Sequence, residues 1–373
     1  MTDSTPDLMF DLTLTDEQRM NRETMQRFAS AELRPLSQSV DAGVNPARDF
    51  YPKTAELGLT LLPIPEALGG AGVGRSPVSN ALIFEDLAHG DMALALGSIS
   101  PLAFVNTLLD QGSEAQREKF LPLFCSGEFK AVTTALLEPR ATFEPTAPAV
   151  TATASKNGEG YSLSGSKCMV PLGMDAELVL VIARLEDGDA AAFIIEGTPP
   201  GMTRTAEGNM GLLGAQLATL TFDKVQLPAS ARLGDSRFDL QRFIDLGHIG
   251  ICALAVGTCQ AVLDYVIPYC NERVAFGEPI TNRQSVAFMI ADIAIELEAM
   301  RLMTWRAAAR AEMGLDFHEY AYLAKQFCSE HAMKIGTDGV QLLGGHGFCR
   351  EHPVELWYRN LRAIAILDGV ASA

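Results

Sequence analysis

Two changes of texture, one near Ala131 and one after Leu233-Gly234-Asp235, oblige this chain to accommodate helices, then strands, then helices again. Before the first change, apolar residues recur at helical spacing. Thr15-Asp16-Glu17-Gln18 offers an N-cap hydroxyl with a glutamine three positions on, a capping-box pattern, and Met25, Phe28 and Ala29 follow on one face. The pattern predicts that this helix ends near Arg34-Pro35, because proline cannot continue it. Pro63-Ile64-Pro65 and Leu68-Gly69-Gly70-Ala71-Gly72 predict a loop, followed by helices over 78–89 and 92–109 and a short one beginning at Gln116.

From Ala131 onward, the short runs 150–154, 161–165, 178–183, 191–195 and 218–222 alternate or are β-branched, and Gly, Pro, Asn and Asp separate them. That texture predicts antiparallel strands, with Asn157-Gly158-Glu159-Gly160 as a turn between two of them. Beyond Asp235, Val286, Met289, Ile290, Ile293, Leu297, Met300 and Ala307 fall on the buried stripe of one long helix. The expected architecture is α+β, in three units: an N-terminal helical domain (1–130), a middle antiparallel β-domain (131–238) and a C-terminal four-helix bundle (239–373).

Composition narrows the function. A net charge of −17 over 373 residues argues against nucleic acid, whose phosphates call for clustered Lys and Arg. A small anionic ligand needs only one local basic group. The seven cysteines are scattered without a Cys-x-x-Cys pair and read as reduced, buried thiols, and the six histidines lack ligand spacing, so no metal is expected. The polar, acidic start has no signal-peptide pattern. No apolar stretch in the sequence is read as approaching the ~20 residues of a membrane span. The expected location is cytoplasmic.

The C-terminal motifs are the most specific. Arg273-x-x-Phe276-Gly277, Gln284, Asp292, Lys325, Gln341-x-x-Gly344-Gly345-x-Gly347-Phe348, Pro353-Val354-Glu355, Arg359-Asn360 and Asp368-Gly369 occur in one order. With Glu85-Asp86-Leu87-Ala88 and the Glu-x-x-Gly-Gly of 66–70, they resemble the acyl-CoA dehydrogenase family over almost the whole chain, from Leu14 to Gly369. The resemblance implies FAD, an acyl-CoA substrate, a tetramer built from this chain or a homologous one, and reoxidation by an electron-transfer flavoprotein. It also implies a carboxylate that removes the α-proton while flavin takes a β-hydride.

The family's FAD lies between subunits, and the two halves of its site are unequally kept here. Arg273 matches the diphosphate partner, Phe276 the residue near the adenine, Gln284 and Gln341 amide donors, and Gly344 and Gly345 the glycines that let backbone approach the cofactor. This half serves the neighbouring chain's flavin. The half that serves the chain's own flavin is eroded. Thr-Glu-Pro-Gly-x-Gly-Ser-Asp reads Leu137-Glu138-Pro139-Arg140-Ala141-Thr142-Phe143-Glu144, and Lys-x-Trp-Ile-Thr-Asn reads Lys167-Cys168-Met169-Val170-Pro171-Leu172. Gly-x-Arg-x-Ser reads Gly211-Leu212-Leu213-Gly214-Ala215. Each buried polar edge left unpaired costs roughly 1–3 kcal/mol.

The family's glutamate base matches Asp368, whose arm is one methylene shorter. The alternative base position matches Gly247, its adjoining arginine matches His248, and Asp245 matches a residue near the CoA moiety. The blander reading of Asp368 is a turn residue before Gly369. Three functions follow: a homotetrameric dehydrogenase using Asp368, a non-catalytic partner in a heteromeric dehydrogenase of fatty-acid or steroid catabolism, or a cofactor-free scaffold. The pattern of loss favours the partner subunit, because drift would not sort the two halves this way.

Overall fold

A computed structural model describes residues 13–44, 49–154 and 160–373. Helix α1 (Asp16–Phe28) begins on the expected capping box: the Gln18 N–H donates to Thr15 Oγ1 and the Thr15 N–H to Gln18 Oε1. Contrary to expectation, Pro35 does not end this run of helix. A π-turn over Ala29–Leu33 carries the chain into α2 (Arg34–Asp41). Proline there is the second residue of the new segment, just past the π-turn. The short α3 (Tyr51–Thr54) precedes α4 (Pro77–Gly90), α5 (Met92–Gln111) and α6 (Glu114–Phe120). Helices α4 and α5 follow the sequence pattern closely.

The middle of the chain forms β1 (Val132–Ala135), β2 (Thr151–Ala154), β3 (Gly160–Val170), β4 (Leu178–Leu185), β5 (Ala190–Glu196), β6 (Met202–Ala206) and β7 (Ala218–Pro228). All seven join one sheet. Two pairings, β1 with β4 and β2 with β4, are parallel rather than antiparallel. Strand β5 takes one edge of β4, so β1 and β2 share the other, pairing with its opposite ends. The sequence pattern missed β1, which is buried throughout and shows no alternation, and β6. It also ended β3 too early: Gly165, at φ +132°, makes a register shift rather than a stop. The expected turn at 157–160 lies outside the described residues except for Gly160.

The C-terminal part comprises α7 (Leu240–Glu272), the hairpin β8 (Val274–Ala275) and β9 (Glu278–Pro279), α8 (Gln284–Glu312), α9 (His318–Leu343) and α10 (Val354–Leu361). The α8 stripe is buried at Ile293, Leu297, Met300 and Ala307, as the spacing predicts, but Val286, Met289 and Ile290 are only half-buried. Helices α5 and α7 are long and apolar enough to span a bilayer by length and composition, which corrects the sequence reading. Their apolar windows are 94% and 89% buried inside the protein, as core helices are. Among the cysteines, Cys252, Cys259, Cys270 and Cys328 are buried as expected, whereas Cys349 is exposed.

Candidate flavin surface and the Asp368 site

Helices α7 and α9 bring Arg273 and Gln341 to one end of the bundle. Arg273 caps the end of α7, its N–H donating to Tyr269 O at 2.9 Å, while Tyr269 Oη lies 3.4 Å from Leu343 O at the end of α9. Arg273, Phe276, Gln284, Gln341, Gly344 and Gly345 are all exposed. Arg273 forms no hydrogen bond or ion pair from its guanidinium among the described residues.

The aromatic ring and the bare backbone of this surface both stand exposed. Phe276 and Gly277, at φ +56° and +87°, form the two-residue turn of the β8–β9 hairpin, which calls for left-handed backbone at both positions, and the Phe276 ring is 93% exposed with Arg283 stacked on it at 4.9 Å. At Gly345, whose φ is not positive, a Cβ would meet nothing within 4 Å. Nothing among the described residues excludes a side chain there. Gly344, at φ +57°, is required by its own backbone, and Gly347 by a Cβ that would stand 2.2 Å from Val340 O. The surface therefore fits a flat, anionic group approached from outside: a charged fork, an aromatic face and bare backbone.

The other half is closed. Leu137, Leu172, Leu212 and Ala215 are buried in one apolar cluster, with Met169 and Cys168 packed against it. Met169, Leu172 and Leu212 keep left-handed backbone, with φ between +53° and +58°. Four backbone donors are consumed internally: Cys168 N–H by Leu137 O (2.9 Å), Leu172 N–H by Ala215 O (2.9 Å), Met169 N–H by Glu207 Oε1 (2.8 Å) and Leu212 N–H by Asn360 Oδ1 (2.8 Å). The sequence reading did not assign Glu207 and Asn360 these roles, since both act over long loops. Behind this face, Lys167 is fully buried, donating to Leu136 O and to Glu138. Burial lowers Lys167 to about 8 against the pull of Glu138. The Glu138 carboxyl lies below its ordinary range because Lys167 and the Ala149 and Val150 N–H groups outweigh its desolvation.

Asp368 is held. His248 Nε2 lies 2.8 Å and Lys325 Nζ 3.4 Å from its Oδ1, and Lys325 also donates to Leu367 O. Leu367, Val370 and Ala371 are buried beside it, and a Cβ on Gly247 would stand 3.3 Å from the Gly369 backbone. Asp245 is also engaged, by His318 Nδ1 at 3.0 Å and Gln241 Nε2 at 3.0 Å. Sequence reasoning missed His318, which stands 73 residues from Asp245.

Helices, one seven-stranded sheet and helices again follow one another along the chain, and three family descriptions match it in that order. The family descriptions that match are the acyl-CoA dehydrogenase N-terminal domain at residues 15–128, the middle domain at 133–225 and the C-terminal domain at 239–372. The bovine (Bos taurus) mitochondrial short-chain specific acyl-CoA dehydrogenase is 32% identical over 96% of this chain and 88% of its own length. An acyl-CoA dehydrogenase of Bacillus subtilis is 32% identical over 95% of each chain. The structure of butyryl-CoA dehydrogenase from Megasphaera elsdenii superposes with a TM-score of 0.87, at 31% identity over 95% of each chain. The chain belongs to the acyl-CoA dehydrogenase family, FAD-dependent oxidoreductases acting on the CH–CH bond of acyl-CoA.

Proposed function

We propose that this chain is the non-catalytic partner in a heteromeric acyl-CoA dehydrogenase, lending Arg273, Phe276, Gln284, Gln341, Gly344 and Gly345 to the flavin of a homologous chain. The observation that carries this reading is the contrast between the halves. On one, a guanidinium and bare glycine backbone stand exposed. On the other, the donors are spent within the chain and the side chains are core.

Bound FAD supplies the hydride acceptor of the family's reaction. In this reading the chain's residues hold and orient that cofactor: Arg273 by forked, charge-assisted bonds, the glutamines by amide bonds and Phe276 by its face. A general base must come within about 2.6–3.2 Å of the proton it removes. Asp368 instead has its Oδ1 tied to His248 and Lys325, with packed chain beside it. In the runner-up reading, a homotetramer, Asp368 would act through Oδ2 while Oδ1 keeps these contacts. The substrate is an acyl-CoA and the reoxidant an electron-transfer flavoprotein, as in the family.

The test is the visible spectrum of the chain purified alone and after co-expression with a homologous acyl-CoA dehydrogenase. A colourless chain that yields one FAD per pair of chains is expected, and stoichiometric flavin in the isolated chain would sink the proposal. Arg273→Ala should strip FAD from the complex, whereas Asp368→Ala should leave turnover intact.

A further inference from the structure

Four rings, to which the sequence reading gave no role, join the last turns of α7 to the segment after α9. Tyr265 Oη lies 2.7 Å from His352 Nδ1, and Tyr269 Oη lies 2.8 Å from His346 Nδ1. The two imidazoles stack, with centroids 5.1 Å apart and planes 11° from parallel. Tyr265 in turn meets buried Trp357 edge-on. Burial pushes both phenols up, so each keeps its proton at neutral pH; Tyr269 can give its single proton to Leu343 O at 3.4 Å or to His346 Nδ1 at 2.8 Å, and the shorter contact favours the imidazole. An imidazole that accepts at Nδ1 carries its own proton on Nε2.

His346 is exposed, and no group among the described residues bonds its Nε2. The ring is therefore fixed at one nitrogen by Tyr269, fixed in plane by His352, and open at the other nitrogen. It directly follows Gly344-Gly345. Tyr269 also connects it to Arg273, whose N–H the Tyr269 carbonyl accepts and whose charge acts on the Tyr269 phenol. A ring needed only for packing would not require an oriented N–H at the cofactor surface.

We infer that His346 is a further FAD-binding residue, its Nε2–H donating to a diphosphate oxygen of the flavin that Arg273 holds. The inference rests on the trans-site reading above. Tyr269 and His352 act as positioning residues, holding the imidazole before the cofactor arrives, which spares the ordering cost of a free side chain.

The experiment follows FAD fluorescence on dilution of the flavin-containing assembly that this chain forms, with near-UV circular dichroism on the same samples. His346→Ala is expected to weaken FAD binding about tenfold or more, the size of one charge-assisted hydrogen bond. His346→Gln, which returns an N–H at similar reach, should recover most of the loss, and Tyr269→Phe should fall between. Unchanged affinity in His346→Ala, with Arg273→Ala stripped of flavin, overturns the role of His346 and leaves the trans-site reading standing. If both variants retain FAD, the trans-site reading itself fails. A loss in His346→Ala that Gln does not restore, with an altered dichroism spectrum, marks the ring as packing and also overturns the inference.

Discussion

Asp91 caps α5 by accepting the Leu94 N–H at 2.8 Å, and complete burial pushes its carboxyl up to about 6 from an ordinary 3.8. Between those values the unfolded chain is ionised while the folded one holds a proton. Stability from this group therefore falls as pH rises from about 4 to about 6 and stays reduced above. Asn keeps the cap and removes the charge. Asp91→Asn is predicted to be more stable at pH 7 by up to about 3 kcal/mol, with the gain gone at pH 4. Urea midpoints at the two pH values test this, and an equal loss at both would refute it. Side-chain identity at single positions was legible in the sequence: Leu137, Met169 and Pro171 announce an apolar face wherever the backbone puts them. Their conformations were not. Met169 is left-handed at a register shift within β3, where Glu207 accepts its N–H, Leu172 where Ala215 O accepts its N–H, and Leu212 in a loop tied down by Asn360, 148 residues from the N–H it accepts.

At the scale of elements, α7 shows what periodicity can and cannot supply. Its helical character follows from its apolar texture, but its small residues face the segment after Asp368, which no local pattern reveals. A Cβ on Gly250 would stand 1.8 Å from Ala371 O, whereas one on Gly247 would stand 3.3 Å from Gly369. Helix propensity favours alanine at both by up to about 1 kcal/mol. Overpacking at Gly250 costs about 1–3 kcal/mol, so Gly250→Ala should be destabilised, while Gly247→Ala should be near neutral. Urea denaturation of the two variants reads the difference. Equal midpoints would mean that the segment after Asp368 does not pack on α7, leaving Asp368 free to act as a base. The same limit explains Pro35: a residue-level rule stops the helix there, and only the π-turn beneath it shows how the chain continues.

For the whole molecule, the decisive quantity is apolar surface that the isolated chain leaves in water. Scattered exposed apolar side chains are ordinary on a monomer. Here Val274, Phe276, Phe288 and Phe348 are exposed on the hairpin, the first turns of α8 and the segment after α9, among the same elements as Arg273 and Gln341. Phe348 is 89% exposed, so folding of one chain gains almost nothing from it. An exposed aromatic group beside a guanidinium without a partner among the described residues suits the proposed cofactor surface, since both would acquire partners on assembly. The double variant Phe276→Ser with Phe348→Ser is therefore predicted to leave the isolated chain's unfolding free energy within about 0.5 kcal/mol, as for surface substitutions generally. Its assembly with the proposed flavin-bearing chain should weaken at least tenfold, with FAD lost in parallel. Sedimentation velocity detected at protein and flavin wavelengths measures both at once. Retained assembly with flavin lost would confine these rings to the cofactor, and retention of both would place the shared surface elsewhere on the bundle.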